Sequence, residues 1–210
     1  MDLQERVWDL EYGGRGTRWS PRRLRFPFSF EGKIVLEAGV GTGKTLSAVL
    51  EENPGRVFAF DFSSEALKQC RQSFRAFSNV VFLKADVLDL PFEKGFFDVA
   101  VVYYLLDNML ESERRKAVAE LRRVLKSGRV LLFEDFAVGD FREEFGKRIE
   151  MPEPHTLLKK KGLLCHYFTE TEVKNLFKDF KNVEVSGKER SPIRNKSHLV
   201  RKTVSAVAVK

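Results

Sequence analysis

The chain has 210 residues, of which 43% are hydrophobic and 32% charged, a balance that is typical of one globular domain and argues against a disordered chain. Lysine and arginine outnumber aspartate and glutamate, 37 against 30, which favours an anionic partner such as nucleic acid, although a basic surface without a bound polyanion is the alternative. The cysteines and histidines lack metal-ligand spacing, so we expect no metal site. No apolar run reaches the roughly 18 residues of a membrane span, and the start lacks the apolar core of a signal peptide. We therefore expect a cytoplasmic protein that does not enter a membrane.

Buried strands alternate with amphipathic helices through the first two thirds of the chain. Apolar runs predict strands at residues 33–38, 56–61, 80–84, 99–105 and 129–133. Apolar residues at helical spacing predict helices between several of these strands, and the last of these helices should stop at Ser127 and Gly128. Strands that are apolar on both faces and are separated by helices form parallel sheets. We therefore predict a doubly wound α/β fold.

A different pattern begins after Asp135. Residues 139–163 predict a short helix and an irregular basic loop, and a capping box from Thr169 to Glu172 predicts a helix that continues to Phe180. Residues 181–188 and 199–209 alternate, which predicts an antiparallel C-terminal hairpin at the edge of the sheet. The sheet would then have seven strands, mostly parallel. We expect residues 1–30 to be an extension that packs over the active site of a domain formed by residues 31–210.

One glycine-rich loop fits two kinds of nucleotide-binding turn. An acid followed by glycines at every second position is the ExGxGxG turn of adenosyl-cofactor enzymes, here formed by Glu37, Gly39, Gly41 and Gly43. The same loop is also a relaxed Walker A sequence for ATP or GTP phosphates, formed by Ala38, Gly43, Lys44 and Thr45. A glycine-rich structural turn without a ligand is the third interpretation.

Acidic residues after the neighbouring strands favour the adenosyl interpretation. Asp61 ends the second strand, where it can accept hydrogen bonds from ribose hydroxyls, and Asp86 follows the third strand, where it can accept from an adenine amino group. The carboxylate of Glu37 can accept hydrogen bonds from an amino group and balance the positive charge of a sulfonium. The Walker alternative requires Mg²⁺ held by Thr45 and a second acid, and it would place Glu37 beside the phosphates.

These residues resemble the class I S-adenosylmethionine (SAM)-dependent methyltransferases over about residues 32–210. Within that superfamily the chain is most similar to the tRNA 3-methylcytidine methyltransferases, in residues 36–43, 50–54, 58–63, 130–135 and 167–169. It differs from that family at Glu134, where an arginine is usual, and at residues 159–162, where Lys-Lys-Lys-Gly replaces an ArgxxxGlyThr segment. The resemblance implies a Rossmann-like methyltransferase fold, SAM as the cofactor, S-adenosylhomocysteine as the product and a tRNA base, such as N3 of a cytidine, as the methyl acceptor.

The resemblance and the strand order together assign the expected site residues. The cofactor contacts should be Glu37, Gly39, Gly41, Gly43, Asp61, Phe62, Asp86, Val87 and Tyr103. The catalytic candidates follow the fourth and fifth strands and are Tyr104, Asp107 and Asp135. We expect Asp135 to contact a substrate amine, with a capping role as the alternative. Tyr103 and Tyr104 must point to opposite faces, so only one can stack on a base.

Basic residues cluster in the extension, in the inserted loop and in the C-terminal hairpin, where they could border one opening and follow the phosphates of RNA. A solvated charged rim is the alternative. The expected substrate contacts are Trp19, Asn108, Glu134, Arg190, Arg194 and Lys196.

Three functions remain open at this stage. The chain could be a tRNA methyltransferase, with an accessory protein possible. It could instead be a SAM-dependent methyltransferase of a small molecule or a protein, in which residues 139–163 close over a compact pocket. The third possibility is a P-loop nucleotide-binding protein. A ring nitrogen already carries a lone pair, so its methylation requires alignment more than a general base and predicts a small catalytic set.

Overall fold

The computed structural model describes residues 3–14, 24–144, 148–159, 162–190 and 199–210. In these residues the strands are β1 Ile34–Ala38, β2 Arg56–Asp61, β3 Val80–Lys84, β4 Phe97–Tyr103, β5 Leu125–Phe136, β6 Arg148–Glu150, β7 Thr156–Lys159, β8 Leu164–His166, β9 Asn182–Arg190 and β10 Arg201–Val209. The helices are α1 Leu3–Gly13, α2 Lys44–Glu51, α3 Ser64–Ser73, α4 Glu111–Val124, α5 Phe141–Glu144 and α6 Glu170–Leu176. A short 3₁₀ turn, Leu106–Asn108, follows β4.

Seven of these strands form the main sheet in the order β3-β2-β1-β4-β5-β10-β9. The first five strands of this order pair in parallel. Strand β10 runs antiparallel to both β5 and β9. The predicted fold is therefore confirmed, both in its mostly parallel seven-stranded sheet and in its antiparallel C-terminal hairpin.

The main sheet is covered on both faces because its central strands are apolar on both sides. On one face Leu36 of β1 belongs to a buried cluster with Leu121 of α4. On the other face Val35 of β1 packs in a second cluster with Leu46 of α2 and Phe30, which precedes the first strand. None of the helices in the described ranges combines the length and the apolar character that crossing a bilayer requires.

The structure corrects two predicted helix ends and one predicted loop, and it places the fourth strand at Phe97–Tyr103 and the fifth at Leu125–Phe136. Helix α4 ends at Val124 and β5 begins at once, because Leu125 already pairs with Phe97 before the register shifts. Helix α6 ends at Leu176 rather than at Phe180. The segment 139–163 contains the expected short helix α5, but its predicted irregular loop also contains the paired strands β6 and β7. Strand β8, just beyond this segment, completes a second antiparallel sheet in the order β6-β7-β8. Strands of three or four residues are too short to show a two-residue periodicity.

The N-terminal residues that the structure describes are attached to the domain. Helix α1 packs against α3. Phe30 is fully buried, and the ring of Phe26 lies 4.6 Å from that of Phe30. Residues 15–23 lie outside the described ranges, so the packing of the complete extension over the active site stays a prediction.

Candidate functional site

A pocket opens at the carboxyl ends of the parallel strands, where ligands bind in doubly wound sheets. Its walls are formed by α1, by the loops after β1, β2 and β3, and by the turn after β4. Five of the predicted cofactor residues line it: Gly39, Asp61, Phe62, Asp86 and Val87. Trp8 and Tyr12 of α1 line it as well, so the described part of the extension covers one side of this pocket.

Asp61 connects the glycine loop to the second strand. Its Oδ2 accepts the Gly41 N–H at 2.8 Å, and its Oδ1 accepts the Ser63 N–H at 2.9 Å. Burial raises the pKa of Asp61 to about 6, although these backbone hydrogen bonds act in the opposite direction. A carboxylate that lines the pocket and also orders two of its loops fits the ribose-binding role that the sequence predicts.

The three glycines of the loop occupy different surroundings. Gly39 lines the pocket, has φ 70° and would place a Cβ 2.9 Å from Leu105 Cδ1. Gly43 is the N-cap of α2, has φ 91° and would place a Cβ 2.2 Å from the ring of Phe74. Close packing of α2 against α3 therefore requires Gly43, and the expected cofactor contact of its backbone stays a prediction. The cofactor contact of Gly41, whose N–H is donated to Asp61, stays a prediction.

Glu37 provides a test of whether this site fits SAM. Its side chain lies at the end of β1 and is 2% exposed. Among the described residues, its Oε2 has no hydrogen-bond partner. Burial raises the pKa of Glu37 well above the ordinary value, while a backbone hydrogen bond from Leu46 acts against this shift. A buried acceptor without a partner is costly, so the amino group and sulfonium of SAM suit this carboxylate.

Tyr104 and Tyr103 point away from each other, as their positions along the chain require. Tyr104 lines the pocket and has φ 56°, a left-handed conformation that is rare for a bulky residue. Its hydroxyl donates to Glu134 Oε1 at 2.5 Å, and its N–H donates to the Glu134 carbonyl at 2.9 Å. Tyr103 instead packs on the opposite face, 6.2 Å from the ring of Phe26. The expected cofactor contact of Tyr103 stays a prediction, although its ring packs in the apolar cluster of that face.

Asp107 and Asp135 form a buried pair behind the pocket wall. The Asp107 N–H donates to Asp135 Oδ2 at 3.1 Å, and Asn108 Nδ2 donates to Asp107 Oδ1 at 2.5 Å. Burial raises the pKa of Asp107 to about 7. Burial and the nearby charge of Asp107 raise the pKa of Asp135 well above its ordinary value.

The lining of the pocket includes Asn108 but neither of these acids. The direct catalytic role expected of Asp107 and Asp135 stays a prediction, with both acids lying behind the residues that line the pocket. Asp135 Oδ1 accepts the Phe136 N–H at 3.0 Å, which agrees with the alternative in which Asp135 caps the segment that follows it.

A group of cations and aromatic rings follows β5. The guanidinium of Arg142 lies 3.8 Å from the centre of the Phe136 ring, and Lys159 Nζ donates to the Tyr167 hydroxyl at 2.7 Å. The ring of Phe136 is in turn 5.0 Å from that of Tyr104 in the pocket wall. The sequence did not indicate this position of Arg142, because the contact between α5 and the last residue of β5 depends on the folded chain.

The predicted substrate contacts occupy three kinds of position. Asn108 lines the pocket, and Glu134 is buried behind Tyr104. Arg190 is exposed at the end of β9, opposite Arg201 of β10. Trp19, Arg194 and Lys196 lie outside the described residues.

Glu153, His166 and Glu172 place potential metal ligands within 4.8 Å of one another. Arg114 contacts Glu153 and lies 3.6 Å from Glu172, while His166 Nε2 lies 2.9 Å from Glu172. Arg114 lies within ion-pair distance of both acids, so the arrangement fits an ion-pair network better than a cation site. The sequence did not predict it, because the acids and the histidine come from separate elements.

Comparison with known proteins supports the methyltransferase interpretation. The family described as a methyltransferase domain matches residues 35–128, which include the glycine loop. The chain is 26% identical to the tRNA N(3)-methylcytidine methyltransferase trm140 of Schizosaccharomyces pombe, over 96% of this chain and 72% of that protein. It is 29% identical to the human tRNA N(3)-cytidine methyltransferase METTL2B, over 72% of this chain and 42% of that protein.

The name of a third relative gives a different class of methyl acceptor. The chain is 35% identical to the demethylmenaquinone methyltransferase of Clavibacter sepedonicus, over 58% of this chain and 49% of that protein. The chain therefore spans less than half of this relative and of the human one.

Solved structures share the fold at low sequence identity. A Burkholderia thailandensis 1,6-didemethyltoxoflavin-N1-methyltransferase with bound 1,6-didemethyltoxoflavin and S-adenosylhomocysteine has a TM-score of 0.63 and 19% identity, over 86% of this chain and 72% of that one. A putative Haloferax volcanii methyltransferase in complex with the Trm112 activator has a TM-score of 0.64 and 19% identity, over 98% of this chain and 96% of that one. At this identity the likeness shows the fold alone.

Proposed function

We propose that this chain, which belongs to the class I SAM-dependent methyltransferases, transfers a methyl group from SAM to a base of tRNA, namely N3 of a cytidine. The observation that carries the proposal is the extent of the likeness to the tRNA N(3)-methylcytidine methyltransferase of S. pombe, which covers 96% of this chain. That likeness continues beyond the domain match at residues 35–128 into the C-terminal part, which adds the second sheet and the hairpin. The match over the glycine loop argues against the P-loop interpretation.

The residues that line the pocket, and the buried Glu37 at the end of β1, have distinct tasks in this proposal. SAM supplies an electrophilic methyl group on a sulfonium when it is bound. Asp61 and Asp86 would hold its hydroxyls and adenine, and Glu37 would balance its positive charge. Trp8 and Tyr12 of α1 would exclude water from the pocket. Alignment in a dry site is the main requirement, because N3 of cytosine already carries the attacking lone pair.

The charge distribution supports a polyanionic substrate. The chain has a formal net charge of +7. Lys159 lies on the ring of Tyr167, and Arg190 and Arg201 are exposed where β9 ends and β10 begins. Lysine and arginine that contact phosphates produce binding that weakens steeply with salt. RNA affinity that falls with rising salt is therefore part of the proposal.

A small-molecule acceptor is the second candidate, favoured by the 35% identity to the demethylmenaquinone methyltransferase. That likeness covers only 58% of this chain, against 96% for the S. pombe relative. We also propose that an accessory protein assists this chain, as an activator is bound to the Haloferax protein, whose likeness to this chain shows only a shared fold.

The proposal is tested by incubating the purified chain with labelled SAM and unmodified tRNA, followed by mass spectrometry of the nucleosides. We expect label in 3-methylcytidine. Asp61→Ala should lose cofactor binding and label transfer. The matched control is Asp98→Ala, an acid at the opposite end of β4 that pairs with Lys126 at 3.0 Å and should retain activity. Label in a metabolite or protein fraction of a cell extract, with none in RNA, would refute the tRNA assignment.

A further inference from the structure

Arg142 is held in a fixed orientation beside the pocket wall. Its Nε and Nη2 donate to the two carboxylate oxygens of Asp140 at 2.7 and 2.8 Å. Asp140 is fully buried and also accepts the Lys202 N–H at 2.9 Å. The guanidinium lies 3.8 Å from the centre of the Phe136 ring. A planar guanidinium that is hydrogen-bonded along one edge and stacked on a ring keeps its remaining donors in fixed directions.

One amino group of Arg142 is left over from these contacts. Among the residues that the structure describes, Nη1 has no hydrogen-bond partner, and the side chain is 27% exposed. The ring of Phe136, on which the guanidinium lies, is also 5.0 Å from the ring of Tyr104, which lines the pocket. The N–H groups of Nη1 are therefore available to a ligand group just outside the pocket.

A second cation lies in the same neighbourhood. Lys159 Nζ donates to the Tyr167 hydroxyl at 2.7 Å, and the ring of Tyr167 is 6.1 Å from that of Phe136. The charges of Lys159 and Arg142 both oppose the rise in the pKa of Asp107 that burial causes, which places the two cations around one buried acid. Asp140 balances the charge of Arg142, whereas Lys159 forms no ion pair with any acid in the described ranges. The positive charge here favours an anion.

We propose that Arg142 and Lys159 bind a phosphodiester group next to the acceptor nucleotide. A base that enters the pocket leaves its phosphates outside, since the ribose lies between the base and the phosphate. Nη1 of Arg142 would donate to a phosphate oxygen, and the Lys159 ammonium would balance its charge. Such a contact positions the nucleotide without reading its base. The inference rests on the proposed function and names a phosphate contact of the same site.

The test measures affinity for RNA stem-loops in the presence of S-adenosylhomocysteine, so that binding is read without methyl transfer. One stem-loop has natural linkages throughout, and two others carry a neutral methylphosphonate on the 5′ or on the 3′ side of the acceptor cytidine. The unaltered protein should bind one of the modified RNAs at least about tenfold more weakly than the natural RNA. Arg142→Lys keeps a positive charge beside Asp140 but lacks Nη1, so this preference should fall to about threefold or less.

The matched control is Arg122→Lys. Arg122 donates to the Asp179 carbonyl at 3.0 Å and lies 6.0 Å from the centre of the Phe180 ring, so it too is a hydrogen-bonded arginine near a phenylalanine. It belongs to the last turn of α4, which immediately precedes β5 and is therefore at the end of the sheet opposite the pocket. The full preference for the natural RNA should persist in this variant.

Affinity for S-adenosylhomocysteine serves as the folding readout for each variant. If Arg142→Lys does not fold, Lys159→Gln replaces it, because Lys159 donates to a phenol rather than to a buried acid, and its preference should fall in the same way. Equal affinity of the unaltered protein for all three RNAs, or an undiminished preference in the variant that folds, would overturn the inference. If the preference changes as expected but labelled SAM yields no 3-methylcytidine, the proposed reaction fails and the phosphate contact stands.

Discussion

The backbone N–H of Gly41 donates a 2.8 Å hydrogen bond to Oδ2 of Asp61, a residue twenty positions further along the chain. This contact holds the glycine loop after β1 against the end of β2. Asp61 also lines the pocket and is 5% exposed. One buried carboxylate therefore orders the loop and faces the ligand, so its protonation should affect both tasks at once.

The first prediction concerns the pH dependence of cofactor binding. Burial raises the pKa of Asp61 to about 6, so the group is protonated below that pH and ionised above it. Only the ionised form can accept hydrogen bonds with both oxygens from the loops and the ribose. Affinity for S-adenosylhomocysteine should therefore rise from pH 5 to pH 7, by up to about tenfold per unit, and calorimetry can measure it.

Asp61→Asn is the control for this effect. Its amide has a single acceptor oxygen and does not titrate, so affinity should be weak and should depend less on pH over the same range. An unaltered protein whose affinity stays constant from pH 5 to pH 7 would contradict the ribose assignment.

The second prediction concerns the packing of the glycine loop. In Gly43→Ala the new Cβ would lie 2.2 Å from Phe74 and 3.0 Å from Cys70, on a backbone with φ 91°. Overpacking and left-handed strain together should lower the free energy of unfolding by about 2 to 4 kcal/mol. Gly128→Ala is the matched control, because Gly128 has φ 70° and a Cβ added there would meet nothing within 4 Å. The free energy of unfolding of Gly128→Ala should fall by only about 1 kcal/mol. Equal losses for the two variants in urea titrations would contradict the packing argument.

The third prediction concerns the attachment of α1. Asp9 Oδ1 accepts the Ser63 hydroxyl at 2.6 Å and the Glu65 N–H at 3.1 Å, and so connects α1 to the first turn of α3. Asp9→Ala should release α1 from the pocket, because each lost hydrogen bond contributes about 1 kcal/mol. We expect several-fold weaker binding of S-adenosylhomocysteine and faster proteolysis within α1.

Glu5→Ala is the matched control for the attachment of α1. It removes from the same helix only an ion pair with Lys84, whose side chain is 51% exposed. Such surface pairs contribute little. Identical behaviour of the two variants would show that Asp9 has no special part in holding α1.

The sequence predicted those features of the site that depend on strand order. Parallel strands bring their carboxyl ends to one edge, so the acids after β1, β2 and β3 could be assigned to one ligand before the fold was known. The same reasoning required Tyr103 and Tyr104 to face opposite ways. It did not show which of them faces the pocket, because that depends on the left-handed turn at Tyr104.

Other features depend on contacts between distant segments, which a local pattern does not contain. Gly39 and Gly43 are equivalent in the motif, yet Leu105 crowds one and Phe74 crowds the other. Asp107 and Asp135 each follow a strand, as catalytic acids often do. The 3₁₀ turn after β4 produces their mutual hydrogen bond and positions Asn108 in front of them. Both acids therefore lie behind the pocket wall.

The last prediction concerns the stability of that buried pair. The pKa of Asp107 is about 7 in the folded protein and near its ordinary value of 3.8 in the unfolded chain. Between these values the folded state binds more protons, so this group should decrease the free energy of unfolding as pH rises from about 5 to 7, by up to about 1.4 kcal/mol per unit. The raised pKa values of Asp135, Asp61 and Glu37 act in the same direction. Asp135→Asn removes one of these carboxyl groups, so the slope should become shallower without disappearing.

Urea titrations at several pH values measure the effect. Asp98→Asn is the control, because the pKa of Asp98 is lowered by its hydrogen bond from Ile34 and by Lys126, so the full slope above pH 5 should persist. Parallel slopes in Asp135→Asn and the unaltered protein would contradict the raised pKa of Asp135.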